Sequence, residues 1–198
     1  TDQSGCGMHI HQSLWKKGKN VFADSGKLSK VGRHYLGGLQ EHMRELALLG
    51  SPTPNAMRRR KPYTFCPTTD AWAVDNRTVG LRVILGSDNA VRIEQRDGSS
   101  DCNPYLVLAA QIAAGLDGIA RKLEPAPPSE GDEYADQLGN ALPTSIPEAC
   151  ELLEGSAFAK DVLNSQLVEA LCAIARFEHD TIFGVVSDAE LARYADIF

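Results

Sequence analysis

The sequence predicts an α+β fold, and three observations carry that prediction. Short strand-like runs crowd the first half between Met8 and Arg96, a long apolar helical run follows from Tyr105, and helical patterns fill the tail. With 198 residues, 43% hydrophobic and 23% charged, the chain can bury an adequate core as one large domain or two small ones. That composition excludes wholesale disorder and collagen-like repeats. No apolar run approaches the roughly 20 residues that a membrane-spanning helix needs. The opening residues, Thr1-Asp2-Gln3-Ser4-Gly5, show neither an initiator Met nor a signal-peptide pattern, which suggests a fragment or a processed chain.

The elements follow in order. Met8 to Trp15 alternates in character after Gly5 and Gly7, so it reads as a strand with His9 and His11 on one face. Lys16-Lys17-Gly18-Lys19-Asn20 is a hairpin turn into a short strand at Val21-Phe22. From Lys30 to Leu49, Val31, Tyr35, Leu39, Met43 and Leu46 recur at helical spacing, and Gly50 ends the run. The prolines of Ser51-Pro52-Thr53-Pro54-Asn55 make a rigid loop. Strands are expected at Ala71–Val74, Thr78–Leu85 and Val91–Arg96. The last alternates cleanly, with Arg92, Glu94 and Arg96 on one face and Val91, Ile93 and Gln95 on the other. Asn103-Pro104 caps a helix that is nearly all apolar through Ile119, so it should be central and buried. A loop rich in Pro, Gly and acidic residues spans 124–143. Ser145 with Glu148, and Ser187 with Glu190, match the reciprocal capping pattern, and Leu167, Leu171, Ile174 and Glu178 outline a helix between them.

The net charge of −6 conceals an asymmetry. Residues 1–100 hold 15 Lys and Arg against 9 Asp and Glu, whereas residues 101–198 hold 5 against 17. The basic half suits an anionic ligand, and the acidic half reads as a solvated surface. The five cysteines form no CxxC pair, are odd in number and read as reduced thiols of a cytosolic protein.

Two strands carry the chemistry. His9-x-His11 offers two imidazoles on one face, and Arg92-x-Glu94-x-Arg96 offers a carboxylate between two guanidiniums. Such charges cannot enter an apolar core unpaired, so they line a polar cavity or face water. Imidazole and carboxylate suit a divalent metal, and guanidinium pairs bidentately with carboxylate or phosphate. Each piece has a plainer reading: HxH as a surface pair, RxExR as a salt-bridged exposed face. Arg58-Arg59-Arg60-Lys61 is ordinarily a solvated loop, with nucleic-acid binding the sharper option. Arg77 and Arg82 add guanidiniums on or beside a strand and raise the case for an anion site without naming the anion.

Taken together, Gly7-Met8-His9-Ile10-His11-Gln12-Ser13-Leu14, Asn76-Arg77-Thr78 with Arg82, Arg92-Ile93-Glu94-Gln95-Arg96, Asn103-Pro104-Tyr105-Leu106 and Ala113 to Ile119 resemble the catalytic domain of the glutamine synthetase family. The resemblance spans most of residues 4–122 and implies the C-terminal part of that domain, an antiparallel sheet with packed helices. Residues 1–122 would be the part that carries the metal, ATP and glutamate residues, and 123–198 the acidic loop and helical tail of the same domain. By position, His9 and Glu94 would hold a divalent metal, Mg2+ or Mn2+, against the phosphates of ATP as co-substrate. His11 and Ser13 would contact the nucleotide. Arg77, Arg82 and Arg92 would surround ATP and the transferring phosphoryl group, with Arg77 as the catalytic residue. Arg59 and Arg96 would hold the glutamate carboxylates, helped by the Gly5 backbone.

The implied activity is a cytoplasmic ligase that makes γ-glutamyl phosphate from ATP and glutamate and lets ammonia or a larger amine displace the phosphate. A homo-oligomeric ring is implied for the full-length protein, with no nucleic-acid or membrane partner, and the fragment alone is expected to be inactive. Three positions depart from the family. Phe65 stands where the flap loop carries a Glu, Ser4 where Asn is usual beside glutamate, and Asn89 where an ATP-contacting Lys is common. Loss of the flap carboxylate favours a polyamine or amino alcohol over ammonia, with Phe65 and nearby Trp72 as apolar or cation–π contacts. The plainer alternative is that Phe65 packs the loop. A metal-dependent hydrolase built on His9 and His11 lacks further ligands and a base. A catalytically inert family member with a structural or regulatory role is the remaining reading.

Overall fold

The computed structural model describes residues 5–197. Its main sheet holds β1 (Ile10–Gln12), β6 (Trp72–Val74), β7 (Leu81–Ile84) and β8 (Arg92–Gln95) in the order β1-β8-β7-β6. β8 pairs antiparallel with both β1 and β7, but β6 runs parallel to β7, so the sheet is antiparallel-rich and not purely antiparallel. Two small hairpins intervene before the first helix, β2 (Trp15–Lys16) with β3 (Lys19–Asn20) and β4 (Ala23–Asp24) with β5 (Lys27–Leu28). The expected strand at Val21-Phe22 is replaced by the turn between them. Phe22 is fully buried there, its amide donating to the Asn20 side chain.

The helices are α1 (Lys30–His42), α2 (Ala47–Gly50), α3 (Pro54–Met57), α4 (Pro104–Arg121), α5 (Glu133–Asp136), α6 (Ile146–Gly155), α7 (Ala157–Leu163), α8 (Ser165–Phe183) and α9 (Asp188–Tyr194). The single helix expected over 30–49 is broken. Past His42 the bonds shorten to i→i+3 type, with Ala47 N donating to Arg44 O and Leu49 N to Leu46 O, and Leu46 leaves helical geometry at φ −95, ψ 0.

Helix α4 begins as its sequence dictates. The Asn103 side chain accepts from the amides of Tyr105 and Leu106, and Pro104 occupies the first turn, where no amide hydrogen is needed. It ends at Lys122, in the left-handed region at φ 57. Only one side of α4 is buried. Val107, Ala110, Gln111 and Ala114 face inward, while Tyr105, Leu108, Ile112 and Leu116 stay exposed, so its apolar character does not make it wholly internal. The reciprocal cap at Ser187 and Glu190 forms as the sequence predicts. Within the acidic half, the expected loop hides α5, whose Glu133 is fully buried with Oε1 accepting from the Thr69 hydroxyl and the Gly139 amide.

One hydrophobic cluster joins sheet and helices. It runs from Phe22, Tyr35, Leu36 and Leu39 through Leu81, Val83 and Ile93 to Leu153 and Cys172. Burying each large side chain contributes about 1.5–3 kcal/mol. Because side chains alternate across a strand, sending Leu81, Val83 and Ile93 into this core turns Arg82 and Glu94 to the opposite face. The cysteines are free, with Cys6 exposed and the other four buried. Among the described residues, no helix is long and apolar enough to cross a membrane.

Candidate functional site

Strand register assembles the site. His11 lies opposite Glu94, and Glu94 lies opposite Arg82, so three strands place an imidazole, a carboxylate and a guanidinium in one row. His9 sits just before β1, and its Nδ1 lies 3.1 Å from Glu94 Oε1; His11 Nε2 is 3.6 Å from the same oxygen. Arg96 Nη1 donates to Glu94 Oε1 at 3.1 Å, and Arg82 Nη1 donates to Oε2 at 3.2 Å. These side chains, with Arg77 and Phe65, line a cavity of about 390 Å³.

Glu94 and Arg96 are each only 3% exposed. Burial by itself would raise the Glu94 pKa, but hydrogen bonding to His9, the charge of Arg96 and the bond from Arg82 outweigh it and hold the carboxyl at about 2. Glu94 is therefore ionised at neutral pH. Burial also lowers the His11 pKa; Glu94 opposes this, and Arg92, Arg82 and His9 reinforce it, so the neutral ring is favoured. Arg92 Nε donates to His11 Nδ1 at 3.2 Å, which leaves His11 Nε2 turned to the carboxylate.

Arg96 also organises backbone. Its Nη2 donates to the carbonyls of Phe65 and Arg77, each at 3.2 Å, which ties the 61–67 loop and the 75–80 turn to the sheet. Phe65 occupies the left-handed region at φ 59 and its ring is 62% exposed on the cavity wall. Trp72, expected near it, is buried elsewhere, with its indole donating to Ala126 O at 2.6 Å, and it does not line the cavity.

The remaining candidates are placed as follows. Arg59 does not line the cavity; its Nε donates to Gly5 O and its Nη1 to Gly98 O, beside Gly7. Arg77 is exposed and lines the cavity. Ser13 accepts from the Trp15 indole at 3.0 Å, outside the cavity wall. Asn89 is exposed, and Ser4 lies outside the described residues. Arg60 is the clearest departure from the expected solvated loop, because it is 5% exposed and donates to Pro143 O, Ala47 O and Ser51 Oγ. Sequence reasoning missed Asp75, whose carboxylate pairs with Arg82 Nη2 at 2.8 Å. An acidic residue at a turn gives no local signal of that partner.

His9 and Glu94 provide two converging donors of the right type for a hard divalent ion. Arg96 Nη1 lies within 3.3 Å of both the His9 and the Glu94 donor atoms, so a cation there would compete with that guanidinium for the same lone pairs. Among the described residues, no group of three His, Cys, Asp or Glu side chains is arranged to hold a metal. The donor set fits part of a metal site.

The family model described as glutamine synthetase, catalytic domain, matches residues 1–194. A gamma-glutamylethanolamide synthetase, GlnA4, of Streptomyces coelicolor is 40% identical over 190 residues, covering 96% of this chain and 41% of that protein. A glutamine synthetase of Methanosarcina mazei is 35% identical over 201 residues, covering 96% of this chain and 45% of that protein. A solved structure described as apo GmaS without ligand superposes with a TM-score of 0.84 at 30% identity, covering 97% of this chain and 45% of that one. The chain thus spans less than half the length of the relatives it matches.

Proposed function

The chain belongs to the glutamine synthetase catalytic-domain family, and from that membership we propose that its arginine-ringed cavity is the nucleotide- and acid-facing part of an ATP-dependent ligase site. The reaction is transfer of the γ-phosphate of ATP to the side-chain carboxylate of glutamate, followed by displacement of phosphate by an amine. The observation that supports it is the convergence of Arg82, Arg96, His9 and His11 on one buried, ionised carboxylate, with Arg77 on the wall of the same cavity, which is large enough for a phosphate chain. Phosphoryl transfer needs positive charge placed in advance around the transferring oxygens, and guanidiniums held by neighbouring strands supply it without reorganisation.

The roles are taken from position in the family. Arg77 and Arg82, on the cavity wall, are assigned with Arg92 to the phosphates, with Arg77 at the transferring group; Arg96, on the same wall, is assigned with Arg59 and the Gly5 backbone to the glutamate carboxylates; His11 and Ser13 are assigned to the nucleotide, and Arg59, Arg92 and Ser13 lie outside that wall. His9 and Glu94 would give two donors to Mg2+ or Mn2+, which when bound supplies Lewis-acid neutralisation of phosphate charge. Since no full metal-ligand set is present among the described residues, the isolated 198 residues would bind nucleotide weakly and not ligate. The clustering of retained site side chains supports this reading over an inert family member.

The amine is read from Phe65. An apolar ring at the cavity wall cannot draw ammonium by charge or accept its proton, but it can cover the carbon atoms of an organic amine. The named product of the Streptomyces relative, an ethanolamide, supports an amino alcohol. The test is an amine panel with the native protein that contains this chain, following ADP release with glutamate and ATP. Amide formation with amino alcohols ahead of ammonium is expected. No ATP-dependent amide formation with any amine would overturn the ligase reading, and preference for ammonium would overturn the amine assignment alone.

A further inference from the structure

The 58–61 turn serves two places at once. Arg59 reaches back to the backbone of Gly5 and Gly98 beside the catalytic cavity, whereas Arg58, Arg60 and Lys61 line a separate cavity of about 280 Å³ between α3, the start of α6 and the end of α8. We propose that this second cavity binds a small organic anion, a phosphate or carboxylate carried on a short apolar body.

Charge is the first argument. The lining includes three cationic side chains and the His179 imidazole, and no Asp or Glu. Arg60 is 5% exposed, yet every acceptor it contacts is neutral: Pro143 O, Ala47 O, Ser51 Oγ and Met57 Sδ. Its buried Nε has no hydrogen-bond partner among the described residues. A guanidinium held this deep without a touching carboxylate is costly, and an anion in the adjoining cavity offsets that cost. Three acids stand near and none touches it. Asp97, whose charge acts on it most, accepts from the Gln95 side chain at 3.0 Å. Glu148 accepts from the Thr144 amide at 3.1 Å, and Asp180 pairs with His179 at 3.1 Å from an exposed position.

Shape and polarity give the rest of the ligand. Pro54, Met57, Ile146 and Phe183 form apolar walls. Arg58 lies 5.7 Å from the centre of the Phe183 ring and His179 stacks on the same ring, so the cationic rim is held over an aromatic floor. Inorganic phosphate would leave that floor unused; an anion with an apolar body fills both parts.

Methyl signals of the methionines test this in the 198-residue chain, because there are only three and one of them, Met57, is in the cavity wall. Met43, in the main core, reports on folding, and Met8, beside Cys102, reports from the other side of the Arg59 turn. With phenyl phosphate or benzoate, a saturable shift of the Met57 methyl is expected, weaker with inorganic phosphate and absent with neutral benzyl alcohol. The Arg58→Gln/Lys61→Gln variant should bind about tenfold more weakly, since charge-assisted bonds are lost, while the Met43 signal stays in place. Whichever of phosphate and carboxylate binds more tightly identifies the anionic group. The assignment is overturned if Met57 never shifts, if Met8 alone shifts, if benzyl alcohol acts as well as the anions, or if the double variant binds unchanged.

Discussion

Arg96 Nη1 sits 3.1 Å from Glu94 Oε1, although one residue alone separates them where β8 ends, and both side chains are almost wholly buried. The pairing is possible because alternate residues of a strand share a face. It makes the carboxylate dependent on its neighbour. Arg96→Met should therefore destabilise the fold by about 3 kcal/mol, the cost of leaving a buried charge short of its partner. Adding Glu94→Leu should recover much of that loss, so a double-mutant cycle by urea denaturation would give a clearly non-additive result. Additive losses would mean that Arg82 and the two imidazoles already balance Glu94.

Phe65 offers a test of substrate choice in the native protein that contains this chain. Phe65→Glu places a carboxylate at the cavity wall without changing the left-handed backbone that the position already adopts. The kcat/KM ratio of ammonium to an amino alcohol should rise about tenfold, the scale of one gained charge contact against one lost apolar contact. An unchanged ratio would remove Phe65 from amine selection.

What was legible in the sequence was short-range. The 91–96 alternation gave the face shared by Arg92, Glu94 and Arg96, and Asn103-Pro104 gave the start of α4, because both signals lie within a few residues of the feature. Arg60 was not legible. Its backbone acceptors are 13 and 83 residues away, and a run of four basic residues looks locally like a solvated loop. The removal of Trp72 to Ala126 and the burial of Glu133 are likewise settled by distant partners, whereas the parallel pairing of β6 with β7 joins residues only nine apart whose direction strand alternation does not encode. The family resemblance named site positions that strand alternation could only mark as polar, and it did not anticipate Asp75 on Arg82.

His42 predicts a pH dependence away from the site. Its Nδ1 lies 2.5 Å from Glu45 and its Nε2 2.8 Å from Asp117, while Arg121 also holds Asp117 and the ring stacks on Phe158 at 3.7 Å. Burial lowers its pKa, but the bonds to Glu45 and Asp117 more than reverse this, so the folded value is raised above 6.5. A raised folded pKa means that the stabilisation is complete below the unfolded value and disappears as pH rises through the folded one. The loss has a geometric cause: a neutral ring has one donor for two carboxylates. Denaturant melts should show stability falling as pH rises above the ordinary histidine range of about 6.5, and His42→Gln should flatten that part of the profile.

The last prediction concerns the helix pair beneath the sheet. Helices α1 and α4 meet backbone to backbone at Gly38 and Gly118. A Cβ on Gly38 would lie 2.1 Å from Ala114 O, and one on Gly118 would lie 2.2 Å from His34 O. Neither neighbour is a flexible side-chain end that can swing away. In an unencumbered helix, Gly→Ala gains about 1 kcal/mol from propensity. Here the helices must separate to admit the methyl, and overpacking of this kind costs about 1–3 kcal/mol or more. Gly118→Ala and Gly38→Ala should therefore both lower the melting temperature, whereas Gly155→Ala, where an added Cβ meets nothing within 4 Å, should not. If all three raised it, the close approach of α1 and α4 would not be a constraint on the fold, and the sheet-facing core alone would hold the two helices.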